Sequence, residues 1–98
     1  MKYNFGSGSK RIKDFTNVDW RKTPFTDIVE NVFTNESGKI LVGQAQVILA
    51  THIFEHCPFD KSIEVLELWK SFLKEGGYIL FALPDFDEVV KMYNDQRS

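Results

Sequence analysis

The sequence predicts an α/β fold, in which helices cover a parallel β-sheet. The runs QVILA (46–50) and YILFAL (78–83) are apolar without alternation, which is typical of strands buried on both faces. A helical pattern lies between them, and this strand-helix-strand order favours parallel pairing. Three shorter runs predict further strands upstream: KYNF (2–5), TNVD (16–19) and IVENV (28–32).

The clearest helix is predicted between the two apolar strands, from Lys61 to Lys74. Asp60 is a suitable N-cap, and the pair Gly76 and Gly77 is a stop signal. The apolar stripe recurs at helical spacing and contains Ile63, Leu66, Trp69 and Leu73, widened by Val65 and Phe72.

A second helix is predicted from Asp85 onward, because Glu88 follows it in capping-box register. The apolar residues on one side of this helix are Phe86, Val89, Val90 and Tyr93. Segment 34–42 fits either a loop or a short regular element.

Length, charge and cysteine content restrict the possible functions. The chain has 98 residues, 43% hydrophobic and 27% charged, which predicts one domain over 1–98. The net charge of -2 predicts no general nucleic-acid binding. The single cysteine, Cys57, cannot form an intrachain disulfide. With no membrane-length apolar run and no apolar signal core in MKYNFGSGSKR, the expected location is cytoplasmic, without membrane partners.

His52, Glu55 and His56 form an H-x-x-E-H sequence, in which two histidines on one helix face hold zinc and the glutamate acts as base. Pro58 disfavours helical angles at Cys57, so only about a turn and a half of helix fits after strand 46–50. The formal candidates for a third ligand are Glu64 and Glu67. A zinc hydrolase is therefore disfavoured, no metal is expected, and Cys57 is expected to be a buried, inert thiol.

Gly6, Ser7 and Gly8 follow the first strand, where glycines allow a tight turn and close approach of a ligand to the backbone. A dinucleotide fingerprint would require a third glycine where Arg11 stands, so a plain glycine turn remains open. Asp19 ends the second strand, where a carboxylate can accept hydrogen bonds from ribose hydroxyls or simply be solvated.

Three features thus fall at the carboxyl ends of three strands: residues 6–8, Asp19, and the stretch 51–56. In an open parallel sheet this edge holds the ligand crevice. The HIFEH stretch is therefore interpreted as a loop that closes the crevice beside the reacting group.

The chain resembles a class I S-adenosylmethionine-dependent methyltransferase of the small type 11 kind, which has a Rossmann-like fold. The segments that carry the resemblance are KYNFGSGSKR, FTNVDW, QVILATHIFEH, SFLKEGGYIL and LPDFDEVVKMY. They occur in the family's order and cover nearly all of the chain.

The resemblance implies S-adenosylmethionine as the cofactor and assigns roles to the residues of the first two strands. Asn4 stands where many relatives have an acid near the methionine amino group. Gly6, Ser7 and Gly8 match the turn that faces the methionyl and ribose part. Asp19 matches the acid that binds the ribose hydroxyls.

Further roles follow from the same resemblance. Trp20 stands where an apolar residue flanks adenine, and Asn31 matches the polar residue that reads the adenine amino group. His52 matches the histidine near the methyl-donor end, and it is the candidate general base. Glu55 and His56 match the family's E-H pair, whose expected role is to shape the loop.

The sequence departs from the family in two places. Glu75 replaces the proline that usually precedes the glycine pair. Residues 94–98 are too few for the two further strands of the family, so the Rossmann-like sheet is predicted to be incomplete at its C-terminal edge. The fifth strand would then be an exposed apolar edge, in a fragment or covered by a partner.

The resulting prediction is a methyltransferase domain in its cofactor-binding part, acting on an unidentified acceptor. The acceptor attacks the sulfonium methyl, so the protein contributes alignment and exclusion of water. The alternative is a non-catalytic, truncated module that binds a partner. Self-association through the exposed strand edge would belong to that alternative.

Overall fold

The computed structural model describes residues 1–6, 12–51, 53, 57, 59–83 and 88–93. These residues form one six-stranded sheet and one α-helix. The strands are β1 Lys2–Phe5, β2 Thr16–Asp19, β3 Ile28–Val29, β4 Ala45–Thr51, β5 Leu73–Leu83 and β6 Glu88–Tyr93. Helix α1 spans Ser62–Phe72 and follows a 3₁₀ turn at Phe59–Lys61.

The predicted α/β class is confirmed. Strands β1 to β5 are parallel, and the sheet has the order β3-β2-β1-β4-β5-β6. Strand β1 lies at the centre, where Asn4 pairs with Asn17 of β2 on one side and Leu49 of β4 on the other. The chain reverses its direction of travel across the sheet between β1 and β4, and ligands bind at such a switch point in open α/β sheets.

The core lies between the sheet and α1. The ring of Trp69 is completely buried and contacts Phe5 at 5.3 Å edge-on and Phe81 at 6.1 Å. Phe72 packs edge-on against Phe5 as well. Because side chains of a strand alternate between faces, Tyr3 and Phe5 point toward α1 while Lys2 and Asn4 point away.

Phe15, which directly precedes β2, and the connection that follows β2 lie on the face opposite α1. The Lys2 ammonium lies 5.9 Å from the ring centre of Phe15, and the Asn17 Nδ2 donates to the carbonyl of Phe25 at 2.8 Å. The connection from β3 to β4 lies on the α1 face instead. Trp69 Nε1 donates to the carbonyl of Val32 at 2.8 Å and so ties that connection to the helix.

Helix α1 is shorter at both ends than the predicted span from Lys61 to Lys74. Lys61 occupies the N-cap position without a side-chain capping bond, and Asp60 lies in the preceding 3₁₀ turn. The helix ends at Phe72, since Leu73 is extended and pairs with Ala45 as the first residue of β5. Burial of Leu73 in the sheet, rather than the glycine pair, sets this end.

The predicted apolar stripe of α1 is wrong in one member. Ile63 is 74% exposed, whereas Val65, Trp69 and Phe72 are buried and Leu66 is half-buried against the core. Ile63 lies in the first turn, before the helix has reached the sheet.

The predicted second helix is wrong over 88–93, which form strand β6 antiparallel to β5. Residues Asp85 and Phe86 of that prediction lie outside the described residues. The register runs from the pair of Tyr78 and Tyr93 to the pair of Leu83 and Glu88. Pairing satisfies the backbone groups that β5 would otherwise expose, and β-branched and aromatic residues suit a strand.

Strand β5 is consequently not the edge of the sheet, contrary to expectation. The edge beside it is β6, and self-association through that edge stays a prediction. Strand β3 covers only Ile28–Val29 of the predicted range 28–32. Segment 34–42 forms turns rather than a strand or a helix. In the part of the chain that the structure describes, no helix has the length and apolar character needed to cross a membrane.

Candidate functional site

A groove of about 840 Å³ opens at the carboxyl ends of β1, β2 and β3. Its volume lies within the range of small-molecule sites, about 300–1,000 Å³. The groove is lined by Gly6, Asp19, Trp20, Arg21, Val29, Glu30, Asn31, Val32, Phe33, Glu36, Ser37, Lys39 and Ile53. It therefore lies where the strand order predicts a ligand crevice.

Asp19 is the last residue of β2, and its side chain is 5% exposed. One carboxylate oxygen, Oδ1, accepts a hydrogen bond from the backbone N–H of Arg21 at 3.1 Å. The Nε of the Arg21 side chain lies 4.0 Å from the same oxygen. The carboxylate is thus fixed at the groove by its own turn, with a positive charge beside it.

Gly6 and Ile53 bring the ends of β1 and β4 into contact. Gly6 has φ +67°, and a Cβ placed on it would lie 2.6 Å from Cδ1 of Ile53. The Gly6 N–H donates to the carbonyl of Val18 at 2.9 Å, which fixes this turn against β2. Glycine is required here both by the left-handed backbone and by the approach of Ile53.

The far wall of the groove is segment 30–40, which is organised around the buried carboxylate of Glu30. Glu30 Oε1 accepts from the backbone N–H groups of Asn31 at 2.8 Å and Ser37 at 3.3 Å. Its Oε2 accepts from the N–H of Lys39 at 3.0 Å. Burial alone would raise the pKa of Glu30, but these N–H groups and the nearby Lys39 ammonium outweigh it and hold the pKa below 4.5.

Two asparagines complete the wall. Asn31 Oδ1 accepts from the N–H of Phe33 at 2.9 Å, so the predicted adenine-reading side chain also closes its own turn. Asn35, at φ 51°, donates to the carbonyl of Ile40 at 3.0 Å and accepts from the N–H of Ile40 at 3.1 Å. Phe33 stacks on Trp69 at 6.3 Å, which links the wall to the core.

Trp20 stands at the mouth of the groove and is 70% exposed. The guanidinium of Arg21 lies 5.4 Å from the centre of the Trp20 ring, within the range of a cation–π contact. Lys39 is exposed on the far wall and donates from Nζ to the carbonyl of Val29 at 2.9 Å.

Asn4 lies beneath the groove on the sheet face opposite α1, and it is 2% exposed. Its Nδ2 donates to Oδ1 of Asn17 at 3.2 Å. Its own Oδ1 is buried and has no hydrogen-bond partner among the described residues. A buried carbonyl oxygen without a donor is uncommon and unfavourable, so this atom is suited to accept from a water or a ligand.

The structure brings four predicted site residues to one region: Gly6, Asp19, Trp20 and Asn31 line the groove. Asn4 does not line it and lies in the adjacent sheet face. The predicted residues Ser7, Gly8 and His52 lie outside the described residues, as do Glu55 and His56.

Sequence reasoning missed several groove residues, above all Glu30, Arg21, Lys39 and Ile53. Arg21 and Ile53 adjoin predicted positions and could have been included by proximity along the chain. Glu30 and Lys39 gave no local signal, because they meet only when the turns at Asn35 and Gly38, both with positive φ, fold the segment back.

The residues that the structure describes include several acids and one cysteine that could contribute to a metal site. Among them, no three His, Cys, Asp or Glu side chains are placed to hold a metal ion. The formal third-ligand candidates Glu64 and Glu67 are both exposed on α1. Cys57 is half-buried, and burial together with the negative charge of Asp60 raises the pKa of its thiol, which fits the expected inert thiol.

Comparison with known proteins gives no match: no family model, no curated protein and no solved structure matches this chain.

Proposed function

We propose that the chain binds S-adenosylmethionine in the groove and takes part in methyl transfer to an acceptor. The observation that carries the proposal is the position of Asp19. Its buried carboxylate lies at the carboxyl end of β2, one strand from the switch point, and lines a groove of suitable volume. A cytoplasmic location is part of the same proposal.

The residues of the groove fit a nucleoside with an amino-acid arm. A carboxylate is acceptor-only and bonds well to paired hydroxyl groups, which suits Asp19 to the ribose. The exposed ring of Trp20 offers an apolar surface for adenine, and Asn31 lies on the opposite wall near Phe33. Asn4 does not line the groove, but its buried Oδ1 has no donor among the described residues, and we assign the ammonium group of the cofactor to it as part of the proposal.

The bound cofactor would supply an activated methyl group on a sulfonium. The contribution of this chain would be orientation and exclusion of water, since the leaving sulfur is neutral. Ile53 packs close to Gly6, and both residues line the groove at the ends of β4 and β1. His52, the neighbour of Ile53, is the proposed general base if the acceptor requires one.

Calorimetric titration with S-adenosylmethionine and with S-adenosylhomocysteine tests the proposal. We expect measurable binding of both, and a loss of at least about tenfold in Asp19→Ala, because a hydrogen bond to a charged group contributes about 1.5–3 kcal/mol. Glu64→Ala removes an exposed acid from α1, outside the groove, and is expected to bind normally.

Thermal unfolding of each variant separates loss of binding from loss of fold. Asp19 also accepts a hydrogen bond from Arg21, so Asp19→Asn, which keeps an acceptor oxygen, is the second variant. Absence of binding by the folded chain would reject the proposal and favour the non-catalytic alternative. Equal binding by Asp19→Ala would remove Asp19 from the site.

A further inference from the structure

The charges of this chain are unevenly divided along the sequence. Residues 1–22 contain six Lys or Arg and only two Asp or Glu, whereas residues 23–98 contain six Lys or Arg and twelve Asp or Glu. The net charge of -2 therefore conceals a positive segment and a negative remainder. Such asymmetry is typical of proteins that contact a polyanion locally.

One residue of this positive segment, Arg21, lines the groove. Lys22 is its neighbour along the chain, and both side chains are exposed. Lys39, from the far wall, adds a third exposed cation that lines the same groove. Three acids line the groove: backbone N–H groups hold the buried carboxylates of Asp19 and Glu30, whereas Glu36 is exposed and offsets one of the cations.

The same place carries an exposed aromatic platform. Trp20 is 70% exposed, with the Arg21 guanidinium over its ring, and Phe25 of the following turn is 36% exposed. Exposed aromatic rings beside cations are the combination on which single-stranded nucleic acids bind, because bases stack on the ring while phosphates pair with the cations. An acidic peptide would use the cations and leave the ring without a partner.

We propose that Trp20, Arg21, Lys22 and Lys39 form a surface that binds single-stranded nucleic acid. One base stacks on Trp20, and the adjoining phosphates pair with the three cations. The surface is small, so binding is expected to be weak, with a Kd on the order of 10⁻⁵ M at low salt. This inference does not rest on the proposed cofactor, and its test needs none.

The experiment is a titration of the full chain with a twelve-residue oligouridylate, followed by tryptophan fluorescence. Stacking quenches the exposed Trp20, whereas Trp69, which is completely buried, provides a constant background. With three cations engaged, the slope of log K against log salt is expected to be about -2, at about 0.7 per phosphate. Lys22→Gln should make that slope shallower by about one contact.

Two variants separate stacking from charge. Trp20→Ala, at an exposed position, is expected to lower affinity by about tenfold or more, and Trp20→Phe should recover most of it. Lys74→Gln removes a charge from an exposed lysine at the opposite end of the sheet and should change neither affinity nor slope.

Three results would overturn the proposal. One is no binding of the oligouridylate at about 20 mM salt, where electrostatic attraction is strongest. Another is equal affinity for heparin or for an oligoglutamate peptide, which carry charge but no bases. The third is full affinity in Trp20→Ala, which would leave the exposed ring without a role.

Discussion

Gly6 and Ile53 approach each other closely at the carboxyl ends of β1 and β4. Gly6 combines two demands that are usually met separately. Its φ of +67° disfavours any residue with a Cβ, and the space where that Cβ would stand is occupied by Ile53. The two contributions can be separated because Gly43 has φ +72° with nothing within 4 Å of its Cβ position.

We therefore predict that Gly6→Ala destabilises the fold more than Gly43→Ala. Both variants carry the left-handed backbone penalty of about 1–2 kcal/mol, but only Gly6→Ala also displaces Ile53. Urea denaturation at neutral pH measures both free energies of unfolding. In an Ile53→Ala background the excess cost of Gly6→Ala should shrink, and an unchanged excess would show that Ile53 is not its cause.

Asp19 and Glu30 are buried acids that line the same groove, but only Asp19 could be predicted from the sequence. Asp19 was predictable, because a carboxylate at the end of a strand lies at the ligand edge of a parallel sheet. Glu30 was not, because its partners stand up to nine residues later in the chain and are its neighbours only in the folded turn. Its role is structural support of the wall.

At the level of elements, segment 30–40 forms a wall without regular secondary structure. Three backbone N–H groups point at the Glu30 carboxylate, and Asn35 pairs with both backbone groups of Ile40. Phe33 and the carbonyl of Val32 attach the segment to Trp69. Segment 30–40 is therefore held together by hydrogen bonds to the Glu30 carboxylate and is attached to the core through Trp69.

We predict that Glu30 makes the free energy of unfolding depend on pH in the acidic range. Because the pKa of Glu30 is lowered on folding, its contribution is present above about pH 4.5 and is lost as the pH falls through the folded-state pKa. Glu30→Gln replaces one acceptor oxygen by a donor facing an N–H, which should cost about 1–3 kcal/mol at pH 7.

Thermal or urea unfolding at pH 7 and at about pH 3 measures this difference. The free-energy gap between wild type and Glu30→Gln is expected to narrow at the lower pH, because the unfolded-state carboxyl, which has the higher pKa, takes up a proton first and the folded carboxylate loses its advantage. Glu36→Gln, an exposed acid of the same segment, is the matched control. A gap of equal size at both pH values would contradict the assignment.

The elements also show where local pattern fails. The strands over 2–5 and 16–19 were predicted with the bounds that the structure has, and the glycine turn that begins at Gly6 marked the end of the first. The C-terminal end of α1 was not, since Leu73 leaves the helix to pair with Ala45, a residue 28 positions earlier. Segment 88–93 contains valines and a tyrosine, which are compatible with either a helix or a strand. It forms a strand because the outer side of β5 is available for pairing.

For the whole molecule, the order of the strands produces the groove. The connection from β2 to β3 lies on one face of the sheet, and the connection from β3 to β4 lies on the other with helix α1. A gap opens where they diverge, beside β1, and Gly6, Asp19 and Asn31 come together there. Strand ends alone predicted that Gly6 and Asp19 meet at this edge, whereas Asn31 was predicted only from the family resemblance. The sequence could not predict the cations and aromatic ring at the mouth, because their grouping depends on the path of the loops.

At the scale of the whole molecule, strand β6 covers the outer edge of β5. It pairs with β5 over six residues, Tyr78 to Leu83, and so covers the backbone groups of the longest strand in the sheet. We predict that a chain ending at residue 87 associates into larger species, because β5 then becomes an exposed apolar edge. Size-exclusion chromatography with light scattering, over a range of protein concentrations, measures the mass.

A chain ending at residue 93 is the control, since it retains β6 and should match the mass of the full chain. If the 1–87 chain keeps the same mass at every concentration, β6 does not protect β5. If the full chain itself associates with concentration, one of the two edge strands of the described sheet, β3 or β6, is available for pairing. Association of the 1–87 chain alone would instead assign the pairing to β5, because only that chain leaves the outer side of β5 uncovered.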